Sequence, residues 1–187
     1  MRKNDLRKLY KSKRSALSDE TVAHYSTLIT QLVVNTFVRP QMTVSLFFTI
    51  AHQKEVQTNA LFYELIQKDC RVTGTVSNFD ALTLEHRTVS DLDELQLNAY
   101  GIPEPQQGAV IHPHEFDIVF VPMLIADERG FRVGYGKGFY DRFLAQCSTS
   151  CQFVGLNFFD PISSIEDVND FDLPLTHLVT PENVYAF

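Results

Sequence analysis

Between Asp127 and Phe143 the chain reads Asp-Glu-Arg-Gly-Phe-Arg-Val-Gly-Tyr-Gly-Lys-Gly-Phe-Tyr-Asp-Arg-Phe, with four glycines, three arginines, one lysine and two aspartates. Glycines at 134, 136 and 138 remove side chains at alternate positions, so backbone N–H groups can approach an anion closely. The helix expected directly after them would turn its positive N-terminal end toward the same anion. Arg132, Lys137 and Arg142 can neutralise negative charge, and Asp141 supplies a carboxylate for a magnesium ion bridging protein and phosphate. Together these groups read as a site for the phosphates of a nucleotide. A tight structural loop is the competing reading, and for Asp141 alone the helix dipole already favours an acid in a first turn.

The spacing matches neither widespread phosphate fingerprint. Gly, four residues and Gly-Lys-Ser/Thr occurs nowhere in the chain, and Gly-x-Gly-x-Gly stands where a dinucleotide loop has Gly-x-Gly-x-x-Gly.

The elements that must hold this loop follow from periodicity. Leu6, Leu9, Tyr10 and Leu17 recur at helical spacing, which predicts a helix from residue 3 to about 17. Lys3, Arg7, Lys11 and Arg14 form one basic stripe beside that apolar face; a solvated face and a phosphate-reaching edge both fit it. Ser18 caps a second helix, with Val22, Tyr25, Ile29, Leu32 and Val33 turned inward. Strands are predicted at Met42–Phe48, Arg71–Val76, Asp117–Val121, Phe153–Asn157 and His177–Thr180, with a weaker edge strand at 82–89. Thr58 is expected to cap a helix carrying Leu61, Phe62, Leu65 and Ile66, residues 90–95 to form a short helix, and Lys137–Cys147 a longer one. The proline-bearing span 101–116 reads as a long irregular connection, a kind of loop often used for function. Strands alternating with helices predict a single three-layer α/β domain over residues 1–187, an open and largely parallel sheet with helices on both faces. In such sheets ligands sit beyond the carboxyl ends of the strands. The segments after Phe48, Val121 and Asn157 are therefore expected to face one crevice.

Charge narrows the partners. Residues 1–14 hold seven of the sixteen Lys+Arg and one acid, whereas the whole chain carries a net charge of −7. An acidic surface repels nucleic acid, so a small anion held at the basic end is the better partner. Cys70, Cys147 and Cys151 are too few for a disulfide framework and point to reduced thiols. Zinc at Cys147 and Cys151 would need two more ligands, and the His112–Pro113–His114 stretch reads as a polar loop. No apolar run reaches the length of a membrane span and the N-terminus lacks a secretory apolar stretch, so a cytoplasmic protein, a monomer, is the expectation.

Val121-Pro122 followed by Arg132-Val133-Gly134-Tyr135-Gly136-Lys137-Gly138-Phe139-Tyr140-Asp141 resembles the signature of the 5-formyltetrahydrofolate cyclo-ligases, also called methenyltetrahydrofolate synthetases. Lys3, Leu6, Arg7 and Arg14 resemble that family's N-terminal basic helix. Glu55 is similar to its substrate-side glutamate, Gly101-Ile-Pro-Glu-Pro105 to its mid-chain motif, and Asp172 to the acid before its final Val-Thr strand. Thr49, Thr75, Ala126, Val133, Pro161 and Gln57 depart from the family's usual residues. The resemblance implies the open sheet shared with ribose-phosphate isomerases and coenzyme A transferases. It also implies an ATP- and magnesium-dependent closure of 5-formyltetrahydrofolate to 5,10-methenyltetrahydrofolate. On that basis Lys3, Arg7, Arg132 and the loop through Val133, Gly134, Tyr135, Gly136, Lys137, Gly138, Phe139 and Tyr140 would bind ATP. Ile50, Glu55 and Tyr140 would meet the folate, and Asp141 and Asp172 would orient Mg2+.

Overall fold

Short runs of β-branched and aromatic residues alternate with amphipathic stretches, and the structure, a computed structural model of residues 1–187, arranges them as one α/β sheet with flanking helices. In chain order the elements are α1 (Lys3–Ser15), α2 (Asp19–Thr36), β1 (Thr43–Ser45), α3 (Asn59–Gln67), β2 (Arg71–Asn78), β3 (Thr83–Thr88), β4 (Leu95–Leu97) and β5 (Pro103–Pro105). They continue with β6 (Ile118–Pro122), β7 (Ile125–Ala126), β8 (Arg132–Val133), α4 (Phe139–Leu144), β9 (Gln152–Leu156), β10 (His177–Val179) and β11 (Val184–Ala186).

Seven strands lie in the order β11-β10-β9-β6-β1-β2-β3. The five inner strands are parallel, and β3 and β11 close the two edges antiparallel. β6 sits at the centre, paired with β9 in the register Phe120↔Val154 and Val121↔Gly155. Its side chains alternate between two cores, as a strand covered on both faces requires. Ile118 and Phe120 enter the core made with α2 and α3, while Val119 and Val121 enter the one closed by Phe143 and Leu144 of α4. The two layers are unequal. Helices of eighteen and nine residues cover one face, whereas only the six-residue α4 and connecting loops cover the other.

Local chemistry explains most boundaries. Ser18 caps α2 as expected, its Oγ accepting from the Thr21 N–H at 3.0 Å. Thr58 precedes α3 without capping it; its hydroxyl donates instead to the Phe47 carbonyl at 2.8 Å, tying the helix start to the end of β1. The helix expected to reach Cys147 stops at Leu144, because Gln146 and Cys147 already bond three residues back, to Phe143 and Leu144 carbonyls, a tightened closing turn. Residues 101–116 are less irregular than expected: β5 pairs with β4 as a separate two-stranded ribbon in which Pro103 and Pro105 are tolerated. The hairpin strands β7 and β8 and the last strand β11 were not expected.

α1 lies across the β7–β8 hairpin. Leu6 and Tyr10 pack on Leu124, Ile125 and Val133 in a small third core. Leu9, expected on the apolar face, is instead exposed, since the buried stripe runs Leu6, Tyr10, Arg14.

Candidate active site

The ends of β1 and β6 build the site; the segment directly after Asn157, expected to face the same crevice, does not line it. After β1 the chain runs through Leu46, Phe47 and Phe48 into a loop that returns at Glu55. Thr49 fastens this loop, its hydroxyl donating to the Val56 carbonyl at 2.9 Å and accepting from the Thr58 N–H at 3.1 Å. After β6 comes the hairpin, whose turn is organised by fully buried Asp127. That carboxylate accepts from the N–H groups of Arg129 and Phe131 and from the Ile165 N–H at 3.0, 3.1 and 3.0 Å. Asp127 thus shapes the turn that delivers the glycine loop. At the neighbouring strand β9, Gly155 makes room for side chains: a Cβ there would stand 2.1 Å from Cε of Met123 and 2.7 Å from Cδ1 of Leu175.

Lys3, Arg7, Arg132, Lys137, the loop from Val133 to Tyr140, Ile50, Glu55, Asp141 and Asp172 all line one cleft of about 660 Å3 at the carboxyl ends of β1 and β6. Arg142, also expected to neutralise the anion, does not line it; its guanidinium donates to the Lys137 and Gly138 carbonyls at 3.0 and 3.1 Å.

The glycine loop has the hydrogen-bonding state of a cradle. None of the five consecutive backbone N–H groups from Gly134 to Gly138 donates to another protein group. Gly136 and Lys137 are exposed and Gly134, Tyr135 and Gly138 half-buried, so these donors stand open to water or to a ligand. The glycines differ in their reasons. Gly136 (φ +95°) and Gly138 (φ +70°) hold left-handed conformations, and a Cβ on Gly136 would come within 3.3 Å of the Arg7 guanidinium. Gly134 has neither constraint, and a Cβ added to it meets nothing within 4 Å, so the space it leaves open belongs to the cleft.

The charged groups fall into two sets. Lys3 bonds Asp172 at 2.5 Å, and Arg132 donates to Asp141 at 2.7 Å and to the Leu173 carbonyl at 2.6 Å. Arg7 donates to the Gly134 carbonyl at 3.0 Å and to Asn4 at 2.6 Å. Arg132 is buried, so two of its donors hold Asp141 and the 173 segment in place rather than standing open to a ligand. Burial lowers its pKa, and Asp141 opposes that most strongly. Lys11 and Lys137, by contrast, carry ammonium groups in the cleft with no acid attached. Lys11 was read only as part of the basic stripe; its Nζ lies 5.6 Å from the Tyr135 ring centroid.

Glu55, in the same lining, is buried at 2% exposure. Its Oε2 accepts from the Ile50 N–H at 2.8 Å and its Oε1 from the Tyr135 hydroxyl. Desolvation pushes its pKa up, while the Tyr135 and Ile50 hydrogen bonds and the charge of Arg14 pull it down. Burial also raises the pKa of the Tyr140 phenol, with the Glu55 charge adding to it, so this hydroxyl remains protonated through the neutral range.

For a magnesium ion the protein offers little by itself: no three His, Cys, Asp or Glu side chains converge as a metal cage. The hydrogen bonds to Asp141 fall on Oδ1 and those to Asp172 on Oδ2, which leaves one oxygen of each free of protein donors. Two hard oxygen donors suit a cation that keeps several waters and takes its other ligands from phosphate, the habit of Mg2+.

A parallel α/β sheet whose strand ends gather a glycine loop, several cations and a buried carboxylate around one cleft is the setting of an enzyme that handles an anionic substrate. The chain belongs to the 5-formyltetrahydrofolate cyclo-ligase family, whose model matches residues 1–181. It is 31% identical to the 5-formyltetrahydrofolate cyclo-ligase of Escherichia coli K12 over 149 residues, 78% of this chain and 81% of that one. With the Mycoplasma genitalium cyclo-ligase it shares 27% identity over 176 residues, 92% of this chain and 95% of the other. The solved 5,10-methenyltetrahydrofolate synthetase of Aquifex aeolicus superimposes with a TM-score of 0.79 at 26% identity, covering 100% of this chain and 93% of that one.

Proposed function

We propose that this protein uses ATP to close 5-formyltetrahydrofolate to 5,10-methenyltetrahydrofolate, releasing ADP and phosphate, at the cleft between the glycine loop and Glu55. The observation that carries the reading is a single cleft lined both by the glycine loop from Gly134 to Gly138, whose five N–H groups are free of protein acceptors, and by the buried carboxylate of Glu55. A formamide oxygen is a poor leaving group. Moving the γ-phosphoryl of ATP onto it creates a phosphorylated iminium, which the second folate nitrogen attacks; phosphate then departs, and that nitrogen gives up its proton. Such chemistry needs alignment, charge neutralisation and exclusion of water more than a protein nucleophile.

In this scheme the loop N–H groups and Lys137, with Lys3, Arg7 and Lys11, hold the phosphates. Arg132 keeps Asp141 oriented. Glu55 faces the nitrogen that loses its proton, Ile50 packs beside the folate, and Tyr140 lies where the two substrates meet. Bound at Asp141 and Asp172 along with ATP, Mg2+ would neutralise phosphate charge. The monomeric, cytoplasmic state expected from composition, with no nucleic-acid partner, belongs to the same proposal, as does a single domain. No helix is long and apolar enough to cross a membrane.

The test is a mixing experiment. Absorbance of the methenyl chromophore should rise only when protein, magnesium-ATP and 5-formyltetrahydrofolate are all present, with ADP formed in equal amount. ATP hydrolysis without chromophore, or chromophore formation without ATP, would overturn the reading.

A further inference from the structure

Arg14 is a cation taken almost entirely out of water, at 3% exposure, and no acid pairs with it directly. Its Nη1 donates to the Met123 carbonyl at 3.1 Å, its Nη2 to the Tyr135 hydroxyl at 2.6 Å, and its Nε is buried with no partner. Burying a guanidinium on these terms is unfavourable. Packing does not demand it either, since an apolar residue would continue the Leu6–Tyr10 stripe of α1. The charge is directed at Tyr135. A phenol has one proton to give. With its oxygen accepting from Arg14, that proton goes to Glu55, so the relay has a fixed sense from Arg14 through Tyr135 to Oε1 of Glu55.

Both oxygens of Glu55 act as acceptors here, the pattern of an ionised carboxylate, and the pull of these partners works against burial, which raises its pKa more strongly. The other groups facing it are Tyr140 in the cleft wall, exposed His52 on its own loop, and Lys11, which lies over the ring of Tyr135. Neighbouring Lys54 is turned away, bonded to the Leu17 carbonyl at 2.6 Å and paired with Asp19 at 3.3 Å.

We propose that Arg14 is a positioning residue for the ring closure, acting through the Tyr135 hydroxyl to keep the Glu55 carboxylate ionised and aimed into the cleft. The kinetic consequence rests on the function proposed above; the ionisation itself does not. Carbon-13 NMR of glutamate-labelled, ligand-free protein follows Glu55 directly, its signal assigned by its loss in Glu55→Gln. Arg14→Gln and Tyr135→Phe should each raise the Glu55 titration by about one pH unit or more, and the double variant should move no further than the larger single one. Arg14→Lys, which keeps the charge, should restore part of the shift. The acid limb of kcat should follow each titration. An unmoved Glu55 titration in Tyr135→Phe, or fully additive shifts in the double variant, would sink the relay. Tyr135→Phe decides the matter even where Arg14→Gln does not fold. A raised titration with an unmoved kinetic limb supports the relay and removes Glu55 from the reaction instead.

Discussion

Exchanging His86 for phenylalanine should make the protein more resistant to acid. His86 on β3 is 2% exposed and stacks on Phe143 of α4 with centroids 4.0 Å apart, while Phe116 meets its edge at 5.0 Å. Its Nε2 is buried without a partner, and burial lowers its pKa from 6.5 to about 3. A lowered histidine favours unfolding as pH falls, because the unfolded chain takes up a proton below 6.5 that the folded one refuses until about 3. Between pH 7 and pH 5 that difference amounts to about 2 kcal/mol of lost stability from this one group. Phenylalanine fits the same aromatic stack and does not titrate. Urea unfolding of wild type and His86→Phe at both pH values isolates the effect: the variant should lose about 2 kcal/mol less over that interval. Equal losses in the two proteins would show that His86 already binds a proton when folded, and the account of its burial would be wrong.

The glycines should respond according to their surroundings. Gly136→Val forces a β-branched side chain into a left-handed backbone against Arg7 and should lower ATP affinity at least a hundredfold by calorimetry; unchanged affinity in folded protein would refute the cradle. Gly134→Ala has room and ordinary backbone angles, so it should leave thermal stability within about 0.5 kcal/mol of wild type while weakening ATP. Asp141→Asn should loosen the magnesium dependence of ATP binding and Glu55→Gln should spare it, two outcomes that a titration of each with magnesium-ATP separates.

The glycine loop stands out in the sequence through its glycine spacing, fixed charge and adjoining strand, with a tight structural turn as the competing reading, and the parallel sheet was legible because β-rich and helical stretches alternate. What escaped notice was chemistry settled by partners distant in sequence. Arg14 reads as the fourth member of a basic stripe, yet at the border between that stripe and the apolar face it turns inward to meet Met123 and Tyr135, more than a hundred positions away. Arg132 reads as a phosphate ligand, but two of its donors are taken up by Asp141 and Leu173. The strands of β7 and β8 are two residues each, too short for alternation to register. Thr58 carries a cap residue's side chain, but the Phe47 carbonyl claims its hydroxyl.

The contact between Lys3 and Asp172 joins positions 169 apart in the chain. During synthesis α1 emerges well before the hairpin it docks on, and Lys3 waits longer still for its acid. At ordinary elongation rates that interval is roughly ten to thirty seconds. Throughout it the most basic part of the polypeptide is solvated and unpaired, open to any anionic surface nearby. The wall that carries the glycine loop is therefore complete only after synthesis has passed Asp172, however early its first helix was made.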